Sequence, residues 1–266
     1  MTPPATPPAL PPRAQAMILA AGRGARMQPL TDHTPKPLLP VHGKPLLQWH
    51  LEALQQAGVG HALINTGWLG EQIAHRWGDG LHSAHGSLHL QYSREDLDFG
   101  AGIETAGGIA RALPRLEDTF WLVAGDAFMP GWQFDEAQRA RFGSSPLLAH
   151  LWLVPNPEHH PQGDFGLGAD GLAINPASCG AAQPLPETLY TYSGLALLRR
   201  ELFQSPWCDI PAGNPQGVAQ PLAPLLRKAM DAGRVSAELY RGPWVDVGTP
   251  ARLATVNAPD HSHHYL

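Results

Sequence analysis

The segment Met17-Ile18-Leu19-Ala20-Ala21-Gly22-Arg23-Gly24-Ala25-Arg26-Met27, followed by Thr34-Pro35-Lys36-Pro37-Leu38, constrains this chain more than any other. Residues 16–20 read as a short buried strand. The small residues and two glycines after it let backbone N–H groups converge on an anion, because no side chain blocks the approach. Phosphate is the natural guest. Arg26 adds a forked donor, and Lys36 adds a point charge on a backbone stiffened by Pro35 and Pro37. No Gly-Lys-Ser/Thr follows the glycines and their spacing is not that of the dinucleotide fingerprint, which excludes both a P-loop and a Rossmann cofactor site.

Around this loop apolar runs alternate with helical patterns, which predicts an α/β protein with helices flanking a parallel sheet. Pro45 opens a helix with Leu47, Leu51 and Leu54 at helical spacing, and Gly58 closes it. A strand over 59–65, a helix over 69–77, an alternating strand through Leu88, Leu90 and Tyr92, and a helix over 104–113 follow. The run 119–124 ends in Gly125-Asp126, which places a carboxylate at the carboxyl end of a central strand, where open α/β sheets bind ligands. Later segments read as strands over 147–154 and 188–198, a Pro/Gly-rich loop over 206–220, a helix over 222–230, a strand over 244–247 and a helix from Thr249. Trp68, Trp77, Trp121, Trp152 and Trp244 fall within or beside these patterns and read as core.

Lys and Arg number 18 and Asp and Glu 23, a net charge of -5. That balance gives no general field for nucleic acid or an acidic membrane, so an anionic substrate must be held by a few placed cations. Cys179 and Cys208 are too few for a disulfide framework or a four-thiolate zinc site, and a reducing cytoplasm suits them. No apolar run approaches the roughly 18 residues that cross a bilayer, and the Pro-rich start is unlike a signal peptide. The expected organisation is a disordered tail over 1–15, one domain over 16–256 and a polar tail over 257–266. His261, His263 and His264 in that tail read as a solvated end, and the adjacent His159 and His160 in an irregular loop do not read as a metal site.

The string from Met17 to Met27 with Lys36-Pro37, the segment Glu104-Thr105-Ala106-Gly107-Gly108, the pair Gly125-Asp126, and Trp244-Val245-Asp246-Val247-Gly248-Thr249 together resemble the signature of the sugar-1-phosphate nucleotidyltransferases across residues 16–256. The resemblance implies a three-layer Rossmann-like fold with a mixed, mainly parallel central sheet. It also implies that a sugar-1-phosphate oxygen attacks the α-phosphorus of a nucleoside triphosphate in line and pyrophosphate leaves. Because that nucleophile is already an anion, no general base is needed, and catalysis reduces to positioning and charge neutralisation.

By the same resemblance Gly22, Gly24, Ala25, Arg26, Lys36 and Gly125 hold the triphosphate, Arg26, Lys36 and Asp126 are catalytic, and Asp126 and Asp246 bind Mg2+. Glu104 and Thr105 approach the base, and Asn156, Asp164 and Gly194 face the sugar. Helix capping by Glu104-Thr105, and turn roles for Asn156 and Asp164, stand beside those readings. Ala25, Met27 and Ala124 depart from the Thr, Leu and Asn that many members carry. Asn156-Pro157-Glu158-His159-His160, Gly163-Asp164-Phe165 and Tyr240-Arg241-Gly242 resemble members that use UTP and N-acetylmuramic acid α-1-phosphate, the expected pair. A mannose-1-phosphate guanylyltransferase, another hexose-1-phosphate enzyme and a non-catalytic nucleotide-sugar sensor are the alternatives.

Overall fold

The computed structural model describes residues 12–84, 86–100, 102–180 and 185–259. The expected N-terminal tail through residue 11 and the tail histidines lie outside the described residues. Chain order gives strand β1 (Ala14–Ala20), the hairpin β2 (Pro40–Val41) and β3 (Lys44–Pro45), helix α1 (Leu46–Gln56), β4 (His61–Thr66), α2 (Gly70–Trp77), β5 (Gly80–Ser83), β6 (Gly86–Arg94), α3 (Glu95–Phe99) and α4 (Glu104–Ala112). Then come β7 (Leu116–Ala124), β8 (Ala127–Phe128), α5 (Glu136–Gly143), β9 (Ala149–Val154), β10 (Phe165–Leu167), β11 (Ala173–Ile174), β12 (Leu189–Arg199), α6 (Ala223–Asp231), β13 (Val235–Leu239), β14 (Val245–Asp246) and α7 (Pro250–Val256). The first strand begins at Ala14, two residues before the expected start, because Ala14 is buried and pairs with Leu116.

One ten-stranded sheet organises the chain, with β7, β1, β4 and β6 as its parallel centre. Antiparallel strands extend both rims, β5 on one side and β12, β10 and β11 on the other, so the sheet is mixed as expected. Successive residues of the central strands feed opposite faces, as the two-residue period of a strand requires. Phe120 and Leu122 of β7 join one apolar cluster with Ile109 of α4 and Leu226 of α6. Trp121 and Val123 join the other with Leu47, Leu51 and Leu54 of α1 and Ile73 of α2. Three layers follow from that alternation.

The carboxyl ends of β1, β4 and β7 share one edge, because the strands are parallel and in register there: Leu19 pairs with Asn65 and with Ala124. A third, smaller cluster of Met27, Leu39, Val41, Leu46, Phe128, Val247, Leu253 and Val256 lies beneath the loops at that edge. Met27 is fully buried in it, which pins the glycine-rich loop to the body of the protein. Trp121 and Trp152 are core as expected, and Trp77 and Trp244 pack against it, whereas Trp68 stays 36% exposed, contrary to the core expectation. Its neighbour Leu69 takes a left-handed turn (φ 53°), which carries the indole out of the helix pattern.

His50 on α1 is buried beside Ala127, and its pKa falls from 6.5 to about 4 because burial penalises the imidazolium more than the Ala127 hydrogen bond and the Asp126 charge favour it. Below pH 6.5 the unfolded chain takes a proton that the folded chain refuses, so stability is lost as pH falls from 6.5 towards 4. The loss through this group approaches about 3 kcal/mol. Denaturant titrations at pH 7 and pH 4.5 check this: His50→Gln should flatten the pH dependence, and equal slopes in the two chains would remove His50 as its source.

Candidate active site

The glycine-rich loop leaves β1 at Ala20 and turns back at Gly24, whose φ of +65° suits glycine. Thr31 Oγ1 donates to the Gly24 carbonyl at 2.8 Å, and Trp68 Nε1 donates to the Thr31 carbonyl at 2.8 Å, so the two limbs of the loop are tied together and to the start of α2. Arg23 lies over the Trp68 ring, 4.9 Å from its centroid. Arg26 is exposed and forms no ion pair among the described residues. Lys36 is held between buried Pro35 and Pro37, and its Nζ donates to Asp126 Oδ2 at 2.6 Å.

Gly125 and Asp126 follow the end of β7. Gly125 N donates to the Leu19 carbonyl at 2.9 Å, and a Cβ on Gly125 would stand 2.5 Å from that oxygen. Only glycine lets β7 cross so close to the strand that precedes the glycine-rich loop. Gly125→Ala should therefore cost about 1–3 kcal/mol from overpacking, read as a drop in denaturation midpoint together with weakened nucleotide binding. An alanine variant of unchanged midpoint would contradict the close approach.

Asp246 comes from far along the chain. The two-residue strands β8 and β14 pair antiparallel with Asp246 opposite Ala127, and Val247 N donates to the Asp126 carbonyl at 3.0 Å. This small ribbon brings the two aspartates to the wall of one cavity. Asp246 Oδ2 accepts from Arg252 Nη1 at 2.9 Å and lies 3.6 Å from His159 Nε2, while its buried Oδ1 has no hydrogen-bond partner. Burial and Arg252 both lower the pKa of His159.

Two cavities meet here. One of about 790 Å³ is lined by Gly22, Gly24, Ala25, Arg26, Lys36, Glu104, Thr105, Gly125 and Asp126, with Trp68 and Glu95 on its walls. The other, about 420 Å³, is lined by Asp164, Gly194, Asp246, His159 and His160. Arg26, Ala124 and Asp126 belong to both walls. A bipartite substrate pair whose junction lies at Arg26 and Asp126 matches that shape.

The expected base segment is at the mouth of the larger cavity. Helix α4 begins at Glu104 with no side-chain cap, so the capping alternative does not hold. The Gln220 carbonyl accepts from Ala106 N and Gly107 N instead, and thereby the 206–220 loop supplies the missing cap. Glu104 itself is exposed at φ 60°, a conformation unfavourable by about 1–2 kcal/mol for a non-glycine residue. Behind it, buried Glu95 accepts from Asn65 Nδ2 at 2.7 Å and from Ile103 N at 3.1 Å, and Asn65 Oδ1 accepts from Ala20 N at 2.8 Å. Burial raises the Glu95 pKa despite those donors. Sequence reasoning missed this network, since no local pattern connects positions 20, 65 and 95.

The sugar-side expectations divide. Asp164 lines the smaller cavity and also has a turn role: its Oδ2 accepts from Tyr192 N at 2.8 Å, and His160 Nε2 lies 3.1 Å from Oδ1. Asn156 lines neither cavity. Its Nδ2 donates to the Pro161 and Leu189 carbonyls at 3.1 and 2.9 Å, and its Oδ1 accepts from Thr191 Oγ1 at 2.9 Å, so it ties the turn to β12. Gly194 is on the cavity wall at φ +84°, in the register shift of β12 against β9; a Cβ there would stand 2.5 Å from that of Ala124. Glycine and alanine at those two positions thus fit each other. His159 and His160, dismissed as metal ligands, face Asp246 and Asp164 separately, and no cluster of three or more His, Cys, Asp or Glu suited to a metal occurs among the described residues.

A donor set of two carboxylates with one buried, unpartnered oxygen fits a hard divalent cation that takes its other ligands from phosphates and water. A glycine-rich loop at the carboxyl edge of a parallel sheet, beside a Lys–Asp pair and a second carboxylate, is the arrangement expected of a nucleotidyltransferase. Comparison with known proteins agrees. Residues 16–141 match the MobA-like NTP transferase domain. An N-acetylmuramate alpha-1-phosphate uridylyltransferase of Neisseria meningitidis is 47% identical over 190 residues, covering 71% of this chain and 77% of that protein. Another from Caulobacter vibrioides is 31% identical over 203 residues, covering 70% and 76%. The chain belongs to the sugar-1-phosphate nucleotidyltransferase family. In fold it resembles a protein assigned as a glucose-1-phosphate thymidylyltransferase from Bacillus anthracis, crystallised with sucrose, at a TM-score of 0.69 and 21% identity over 93% of this chain and 95% of that one. No helix among the described residues is long and apolar enough to cross a membrane.

Proposed function

We propose that this enzyme transfers the uridylyl group of UTP to N-acetylmuramic acid α-1-phosphate with Mg2+ and releases pyrophosphate, a step of cell-wall sugar recycling in the cytoplasm. The single observation that carries the reading is the junction of the two cavities at Arg26 and Asp126. The likeness to the Neisseria uridylyltransferase over most of both chains supports the substrate pair.

In this reading the triphosphate lies along the loop from Gly22 to Arg26, with backbone N–H groups and Arg26 on its oxygens. Lys36 neutralises charge on the phosphates as the bond to pyrophosphate breaks. Glu104 and Thr105 border the base, and Asp164 with the β12 backbone at Gly194 borders the sugar. Asp126 and Asp246 would hold the magnesium, which supplies charge neutralisation at the reacting phosphates when bound. Arg252 and the ribbon pairing hold Asp246 on the wall of the smaller cavity, and no group has to remove a proton from the attacking phosphate.

Pyrophosphate release over a grid of nucleoside triphosphates and sugar-1-phosphates tests the reading. Release with UTP and N-acetylmuramic acid α-1-phosphate well above every other pair is the expected result. Preference for GTP with mannose-1-phosphate would overturn the pair and keep the reaction; silence across the grid would favour a sensor.

A further inference from the structure

A separate hollow of about 440 Å³ lies behind α3, walled by Tyr92 and Arg94 at the end of β6, Leu97 and Asp98 of α3, Arg111 of α4, and Arg115. Its polar lining is mostly donors. Tyr92 Oη, Arg94 Nε and Arg111 Nε are all buried without a hydrogen-bond partner. Donors buried without an acceptor are costly, and the three residues that carry them all wall this one hollow.

The charge points the same way. Arg115 is half-buried, donates to the Tyr92 carbonyl at 2.8 Å, and forms no ion pair among the described residues. Burial and the neighbouring Arg111 both depress its pKa. The acids nearby belong to α3: Asp98 pairs with Arg111, and Asp96 lies 3.8 Å from Arg94 Nε, beyond hydrogen-bond reach. Of the three guanidiniums in the wall, Arg94 and Arg111 thus each have a carboxylate nearby, and Arg115 has none among the described residues.

We propose that this hollow is a second anion site, which takes a phosphoryl-bearing small molecule. Guanidinium forks match phosphate oxygens, and Pro114 with Leu97, 69% exposed on the rim, offers apolar contact to the organic part of such a ligand. The site shares a wall with the larger cavity. Glu95 and Asp96 of α3 face the nucleotide side while Leu97 and Asp98 face this one, and Arg111 belongs to the helix whose first residues, Glu104 and Thr105, line the nucleotide side. A guest here therefore shifts nucleotide affinity.

Calorimetry of inorganic phosphate with the full chain at constant ionic strength tests this without turnover. In a Lys36→Ala background, which weakens the phosphate loop, phosphate should still bind, and adding Arg115→Gln should weaken that binding at least about tenfold. Arg115→Lys, which keeps the charge without the fork, should fall between. Should Arg115→Gln unfold the chain, Tyr92→Phe with Arg94→Gln makes the same comparison. Phosphate binding that is equal with and without these substitutions overturns the site. Saturating phosphate that changes the nucleotide KM equally in the parent chain and in Arg115→Gln overturns the link to the nucleotide side.

Discussion

Replacing Asp126 with asparagine is expected to lower kcat by about 10³-fold or more, since a metal-held phosphate is worth several kcal/mol in the transition state and each 1.36 kcal/mol is tenfold in rate. The substitution keeps the shape of the side chain and removes its charge. Asp126 is 41% exposed in its side chain and sits on a ribbon held by backbone pairing, so circular dichroism should report an unchanged fold. Excess magnesium should not restore activity. An asparagine variant with parental turnover would remove Asp126 from the reaction.

Lys36→Ala is the second large effect, and it should act on the nucleotide. Loss of one charge-assisted contact to phosphate costs about 1.5–3 kcal/mol, or roughly 10- to 150-fold in nucleotide KM, while the KM for sugar phosphate moves little. The 2.6 Å bond from Lys36 Nζ to Asp126 Oδ2 adds a further expectation, because residues in contact do not act additively. The double variant should lose less than the product of the two single losses. Equal effects on both substrates would contradict a triphosphate role for Lys36.

What was legible in the sequence was what local chemistry dictates. The strand, glycines and prolines around Lys36 each constrain their own few residues, and Gly125-Asp126 ends a nine-residue apolar-patterned strand, so loop and carboxylate were found where the sheet places them. The central strands were legible for the same reason: both faces are covered, and buried parallel strands read as apolar runs. Contacts that join distant positions were not. The β8–β14 ribbon has two residues per strand, too short for any period, and the Asn65–Glu95 network consists of polar residues whose burial only the folded sheet reveals. Trp68 misled because its helix pattern hides the left-handed turn at Leu69.

Asp126 belongs to the first half of the chain and Asp246 to its last described strand, and the β8–β14 ribbon joins the segments that carry them. The strands β7, β1, β4 and β6 can pair among themselves before β14 has been synthesised, but Met27 of the glycine-rich loop packs with Val247, Leu253 and Val256, so the loop is seated only once those residues are in place. On the proposed reading, the seated loop and the second carboxylate then arrive together, when β14 zips onto β8. A chain clipped before β14 would keep its central strands and lose both.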